Sequence, residues 1–249
     1  MTVSAVTPAE KLPVPVLEHP HWRVNFRPSV YIPNRLETLT DCIDVLQKTR
    51  VRLRGWDFPH VPSRENQLIF GDSWVAGWSD FMSHLEYWRF YQSSQFLYLG
   101  SVREVTEKEW AAKLRKAMRW HADDHVDIEN VPGFLSLTEC IYNVTEYFEF
   151  AARLTQAQIY VDPVTITISV KGIAGFMLAT DENRGWSSDF VAHQDELHFA
   201  KSFAPADLIS SAAEQALACT VWLFERFGWL KPNMDAIRND QQKLLTRTF

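Results

Sequence analysis

Two adjacent aromatic phrases constrain the fold most. Residues 86–92 (EYWRFYQ) and 95–102 (QFLYLGSV) read as strands joined at Ser93-Ser94, with large rings on both faces of each. A strand that is apolar on both sides needs cover on both sides. The hairpin is therefore expected near the middle of a sheet. Helical patterns surround it. Asn34 with Glu37 reads as a capping box before the stripe Leu36, Leu39, Cys42, Ile43 and Leu46. Thr106 with Glu109 opens a helix to about Trp120. Ser136 with Glu139 opens a longer one that buries Cys140, Ile141, Val144 and Phe148. Pro205 and Asp207 start an apolar helix that Gly228 closes, and a short amphipathic helix runs from about Met234 to Leu245. Further strands read at 22–26, 50–54, 165–170, 175–179 and 196–201, with 61–85 irregular. The fold class is α+β: antiparallel or mixed sheets packed with three to five helices.

The first 20 residues hold Pro8, Pro13, Pro15 and Pro20 without periodicity, the pattern of an extended arm. Residues 21–249 then read as a single α+β unit or as two intimate lobes, in the second case with the seam near 121–133. The net charge of −6 argues against an indiscriminate nucleic-acid coat. Between His19 and His60, however, seven Lys/Arg face four acids, so a locally basic surface sits on an acidic protein. Cys42, Cys140 and Cys219 are widely spaced and fall on apolar faces, which reads as three buried thiols in a reducing compartment. No apolar run reaches membrane length. The expectation is a cytoplasmic protein with no membrane partner.

The stretch 48–60, KTRVRLRGWDFPH, is the first functional candidate. Arg50, Arg52 and Arg54 alternate with Val51 and Leu53, so a strand here would carry three guanidinium groups on one face. Their repeat of roughly 6.6–7 Å is close to the phosphate step of an extended single strand. Arginine also forks onto phosphate with two parallel hydrogen bonds. Arg23 and Arg27 alternate with Trp22, Val24 and Phe26 on the preceding strand, and all five arginines share a face if the two strands are neighbours. Trp56 and Trp88 would then stack on or shape a ligand, with Asp57 and His60 orienting the arginines.

The second candidate is His121, Asp124 and His125. If the preceding helix continues, the two imidazoles stand one turn apart and can chelate a transition metal. Asp57 with His60, and Asp80 with His84 and Glu86, are further scatterings of acid–base groups. Glycine is scarce, at 9 residues, and neither GxGxxG nor GxxxxGK[ST] occurs, which argues against a backbone phosphate cradle. GxSxG is absent as well. No cofactor is implied.

Three phrases together, HWRVNFRP, VRLRGWDFPH and EYWRFYQSSQF, resemble an accessory region found beside Schlafen-type AlbA ATP-binding domains in bacterial proteins. The likeness covers about residues 20–105. No stretch looks like the AlbA domain itself, so ATP binding does not carry over. The resemblance implies a bacterial protein working beside nucleic-acid or nucleotide-handling machinery. The leading expectation is thus a non-enzymatic accessory protein that holds a phosphate-bearing ligand or nucleic-acid strand on its arginine face. A metal-dependent hydrolase built on the histidine cluster is one alternative. An oligomeric structural subunit, using its aromatic surface and apolar helix for a protein partner or a second copy, is the other.

Overall fold

The computed structural model describes residues 14–62, 67–81, 84–121, 127–180 and 189–248. A helical turn, α1 (Val14–Leu17), leads into strand β1 (His21–Pro28) and helix α2 (Leu39–Thr49). Strands β2 (Leu68–Phe70), β3 (Trp74–Phe81), β4 (His84–Tyr91) and β5 (Phe96–Ser101) follow, then helices α3 (Arg103–Thr106) and α4 (Lys108–His121). The second half comprises β6 (Phe134–Ser136), α5 (Leu137–Gln156), β7 (Val164–Lys171), β8 (Met177–Ala179), β9 (Glu196–Phe203), α6 (Pro205–Arg226) and α7 (Met234–Thr246).

The aromatic hairpin lies where its two-sided apolarity demands. In a seven-stranded sheet of order β2-β3-β4-β5-β1-β7-β9, β4 and β5 are the third and fourth strands. Every adjacent pair in that sheet is antiparallel, whereas β6 and β8 form a small parallel pair. The chain is α+β, with seven described helices where three to five were expected. On the inner face Trp22, Val24, Phe26, Trp88, Phe90, Phe96, Tyr98 and Ile166 join one core with α2, α5, α6 and α7. Phe96 is its hub, with ring centroids 4.9 Å from Phe150 and 5.4 Å from Phe26. A smaller core packs α4 against the β6–β8 pair through Leu114, Met118, Phe134 and Met177, beside the predicted seam.

The outer face is covered unevenly. Val16 of α1 is fully buried there against Ala76, Tyr87 and Leu99, so residues 14–17 are a docked turn where an extended arm was expected. Across β1, β7 and β9 the same face leaves Arg23, Arg27, His198, Ala200 and Ser202 exposed. No helix among the described residues is long and apolar enough to cross a membrane.

Three local readings change. The capping box of α2 is Thr38 with Asp41, not Asn34 with Glu37: the Asp41 amide donates to Thr38 Oγ1 at 3.1 Å, and the Thr38 amide to Asp41 Oδ2 at 2.9 Å. Thr38→Ala is expected to lose about 1 kcal/mol of stability in urea unfolding, and Asn34→Ala none. Residues 67–81, expected to be irregular, contain β2 and β3. Residues 50–54, expected to be a strand, make only an isolated bridge, Val51 with Phe58. Asp57 turns the chain back onto its own arginines, and the positions beside β1 are already taken by β5 and β7.

Candidate functional site

The five arginines do not share a surface. Arg23 and Arg27 alternate with the buried Trp22, Val24 and Phe26, so they stand on the outer face of the sheet. The 50–54 segment lies on the inner side, where Val51, Leu53 and Phe58 enter the main core. The single arginine face is therefore corrected, because the sheet itself separates the two groups.

The protein's own carboxylates neutralise the inner group. Asp57 receives Arg50 at 2.7 Å and Arg52 at 3.2 Å. Arg54 points inward against one side of α5, donating to Glu139 at 2.8 Å, Asn143 at 2.6 Å and Glu146 at 2.5 Å. Its side chain is only 9% exposed. Burial opposes the guanidinium charge, but Glu146 and Glu139 outweigh it and hold its pKa above the usual value. Glu146 is itself pushed up by burial, with Arg54 pulling the other way. Arg103 joins the network at Glu139 (3.2 Å) and also pairs with Glu107 (2.6 Å).

Trp56 is held by its neighbours and is not a free platform. The Arg54 and Arg103 guanidiniums lie 4.8 and 5.6 Å from its ring, and the His84 ring sits tilted against it at 5.7 Å. Trp88 is fully buried and donates to the His60 carbonyl at 2.7 Å, so it is a core residue and no stacking surface. Gly77 makes room for its ring, since a Cβ there would come within 2.4 Å. His60 is exposed, and its amide donates to Glu86 at 3.0 Å. Glu86 is buried and also takes His84 Nε2 at 3.3 Å. Asp80, His84 and Glu86 thus divide: the last two pair, and Asp80 stays exposed.

These groups border a cleft of about 990 Å³. Trp56, Trp78, Asp80, His84, Arg103 and Glu109 are among the residues around it. Close by, Glu104 is buried and accepts the Ser136 amide at 2.6 Å. Burial, then Glu139, push its carboxyl up to about 8.

The outer face has the opposite charge. Strand register lines up Tyr87, Leu99, Arg23, Ser169 and His198 in one row. Arg89, Leu97, Asn25, Thr167 and Ala200 form the next. Across β4, β5, β1, β7 and β9 this face carries the cations Arg23, Arg27, Arg89 and Lys171 and a single carboxylate, Glu196, paired with Lys171 at 3.0 Å. Arg89 lies flat on Trp74, 4.0 Å from the ring centroid, and is steadied by the Tyr87 and Tyr91 hydroxyls. Arg23 and Arg27 make no ion pair among the described residues, so their charge is available.

Of the metal candidates, Asp124, His125 and the side chain of His121 lie outside the described residues. Among the described residues no group of three His, Cys, Asp or Glu side chains is placed to hold a metal ion. Cys42, Cys140 and Cys219 are buried free thiols; burial pushes the Cys42 thiol up to about 12. Compared with family models, curated proteins and solved structures, the chain matches none.

Sequence reasoning missed Glu104, Glu139, Asn143 and Glu146. A signal existed for three of them: 139, 143 and 146 are spaced four and three apart, a polar line down one side of an otherwise apolar helix.

Proposed function

We propose that the protein holds a single-stranded nucleic acid on the open outer face of its sheet, with Arg23 and Arg27 as the principal phosphate contacts. One observation carries this reading: two exposed arginines on an interior strand, without ion-pair partners among the described residues, in a face where β4, β5, β1, β7 and β9 carry four cations and one carboxylate. Arg23 and Arg27 are four residues apart along β1, about 13 Å, and both side chains leave the sheet on the same side. Arg89 on Trp74 adds a cation fixed in direction, and Tyr91 and Trp74 lie in the row that crosses the sheet at the Arg27 end. Planar rings beside a cationic track suit a strand whose bases are unpaired. The resemblance of residues 20–105 to an accessory region beside Schlafen-type AlbA domains agrees with work alongside nucleic-acid machinery. The reading is one of binding.

Fluorescence anisotropy with a labelled oligonucleotide over a salt series tests it. Wild-type affinity should fall steeply as salt rises. In Arg23→Ala/Arg27→Ala the log–log slope should be shallower by about 1.4, near 0.7 for each lost phosphate contact to a single strand. Unchanged slope in the double variant, or no wild-type binding at low salt, rejects the proposal.

A further inference from the structure

We infer that the outer sheet face cuts what it binds: Glu196, His198, Arg23 and Lys171 form a site that cleaves RNA by attack of a ribose 2′-hydroxyl on the adjacent phosphodiester. The inference rests on the binding reading above and adds to it a reaction and a choice of RNA over DNA. Strand register brings the four side chains together. Arg23 of β1 is opposite Ser169 of β7, which is opposite His198 of β9, and in the next row Lys171 is opposite Glu196. All leave the sheet on its outer side, since the intervening Trp22, Val170 and Leu197 are buried in the main core. Glu196 and His198 are alternate residues of one strand, about 7 Å apart, and Arg23 lies two strand spacings, about 10 Å, from His198.

His198 is exposed, and one of its ring nitrogens is already fixed. Ser169, 2% exposed, has its Oγ 2.8 Å from His198 Nδ1 and also hydrogen-bonds to Glu196. Both bonds are made when His198 Nδ1–H donates to Ser169 and the Ser169 hydroxyl donates to the Glu196 carboxylate. His198 Nε2, which no described residue engages, is then left for a substrate. Glu196 takes Lys171 at 3.0 Å and is 39% exposed. Slight burial works against its charge, but the bonds from Lys171 and Ser169 and the nearby His198 outweigh it and hold the carboxyl below its usual range. A carboxylate and an imidazole thus flank a place where Arg23 and Lys171 can grip one phosphate. Ser169 is enclosed and its proton is committed, so the nucleophile comes from the substrate.

The step balances without a co-reactant. Glu196 takes the proton of the 2′-hydroxyl, and the 2′-oxygen forms a bond to phosphorus. The bond from phosphorus to the 5′-oxygen breaks, and His198, as the imidazolium, gives that oxygen the proton from Nε2. Arg23 and Lys171 neutralise the charge that gathers on the non-bridging oxygens. The products are a 2′,3′-cyclic phosphate and a 5′-hydroxyl, and solvent restores both protonation states. DNA lacks the 2′-hydroxyl, so it is bound and left intact.

Incubation of the full chain with an end-labelled RNA, beside anisotropy with its 2′-O-methyl analogue, tests this. The RNA should give cyclic-phosphate and 5′-hydroxyl ends in the presence of EDTA, and the analogue should bind uncut. His198→Gln and Glu196→Gln, both at exposed positions, should each slow cleavage by about a hundredfold or more while the thermal melt stays in place. His198→Gln should bind the analogue as wild type does. Binding of both strands without cleavage overturns the reaction and leaves the binding reading standing, whereas loss of all binding removes both. Cleavage untouched by either substitution, or 3′-hydroxyl and 5′-phosphate ends, which mark attack by water, also overturns it.

Discussion

Arg54→Met is expected to lose about 3–5 kcal/mol of folding stability at neutral pH, because it strands the buried Glu146 carboxylate on α5 and leaves Glu139 with Arg103 alone. Glu146 is 1% exposed and Glu139 is mostly buried, so water cannot replace the guanidinium. The loss should shrink as pH falls, since protonated carboxyls need no counter-charge. It should also shrink in Arg54→Leu/Glu146→Leu, where most of the stranded charge goes with its partner. Urea unfolding at pH 7.5 and pH 5 measures both effects. A loss under 1 kcal/mol, or one independent of pH, would mean that the cluster is far better hydrated than its burial indicates.

Glu104 predicts a pH dependence of opposite sense to that of an ordinary salt-bridged acid. Its carboxyl rises from 4.5 to about 8 on folding, through burial first and Glu139 second. The folded chain therefore binds the extra proton between those values. The stability tied to it is complete below about pH 4.5 and is lost as pH climbs through about 8. A shift of that size corresponds to stability on the order of 4 kcal/mol. Glu104→Gln keeps the acceptor for the Ser136 amide and cannot ionise. The variant should match the wild type near pH 5 and exceed it by several kcal/mol at pH 9. Parallel unfolding curves for the two proteins from pH 5 to 9 would exclude this account of Glu104.

What the sequence made legible was local. Ser136 with Glu139, and Pro205 opening α6, are signals read within a few residues, and both stand in the structure. The two-sided aromatics of 86–102 correctly placed a hairpin in mid-sheet, because burial on both faces leaves few other positions. β3 was hidden since Trp74, Ala76 and Trp78 alternate with Val75 and Gly77, which gives apolar or small residues on both faces and no contrast to read. The alternation of Arg50, Arg52 and Arg54 was genuine, but a period says which side chains diverge and not where they go. Arg54 found Glu146, 92 residues away, and Arg50 and Arg52 found Asp57 nearby. Alternation with core residues correctly placed Arg23 and Arg27 on an exposed face, but they were joined to the wrong partners because strand order is set by long-range pairing. The buried carboxylates went unnoticed because a glutamate on a helix is ordinarily solvated.

The central claim is that the outer sheet face, and not the arginine-rich loop after α2, receives the anionic strand. One comparison addresses it: oligonucleotide affinity at fixed low salt for Arg23→Ala/Arg27→Ala beside Arg50→Ala/Arg52→Ala. The account predicts a loss of tenfold or more in the first variant and near wild-type affinity in the second. The reverse order, with the loop variant losing binding and the β1 variant keeping it, would contradict it.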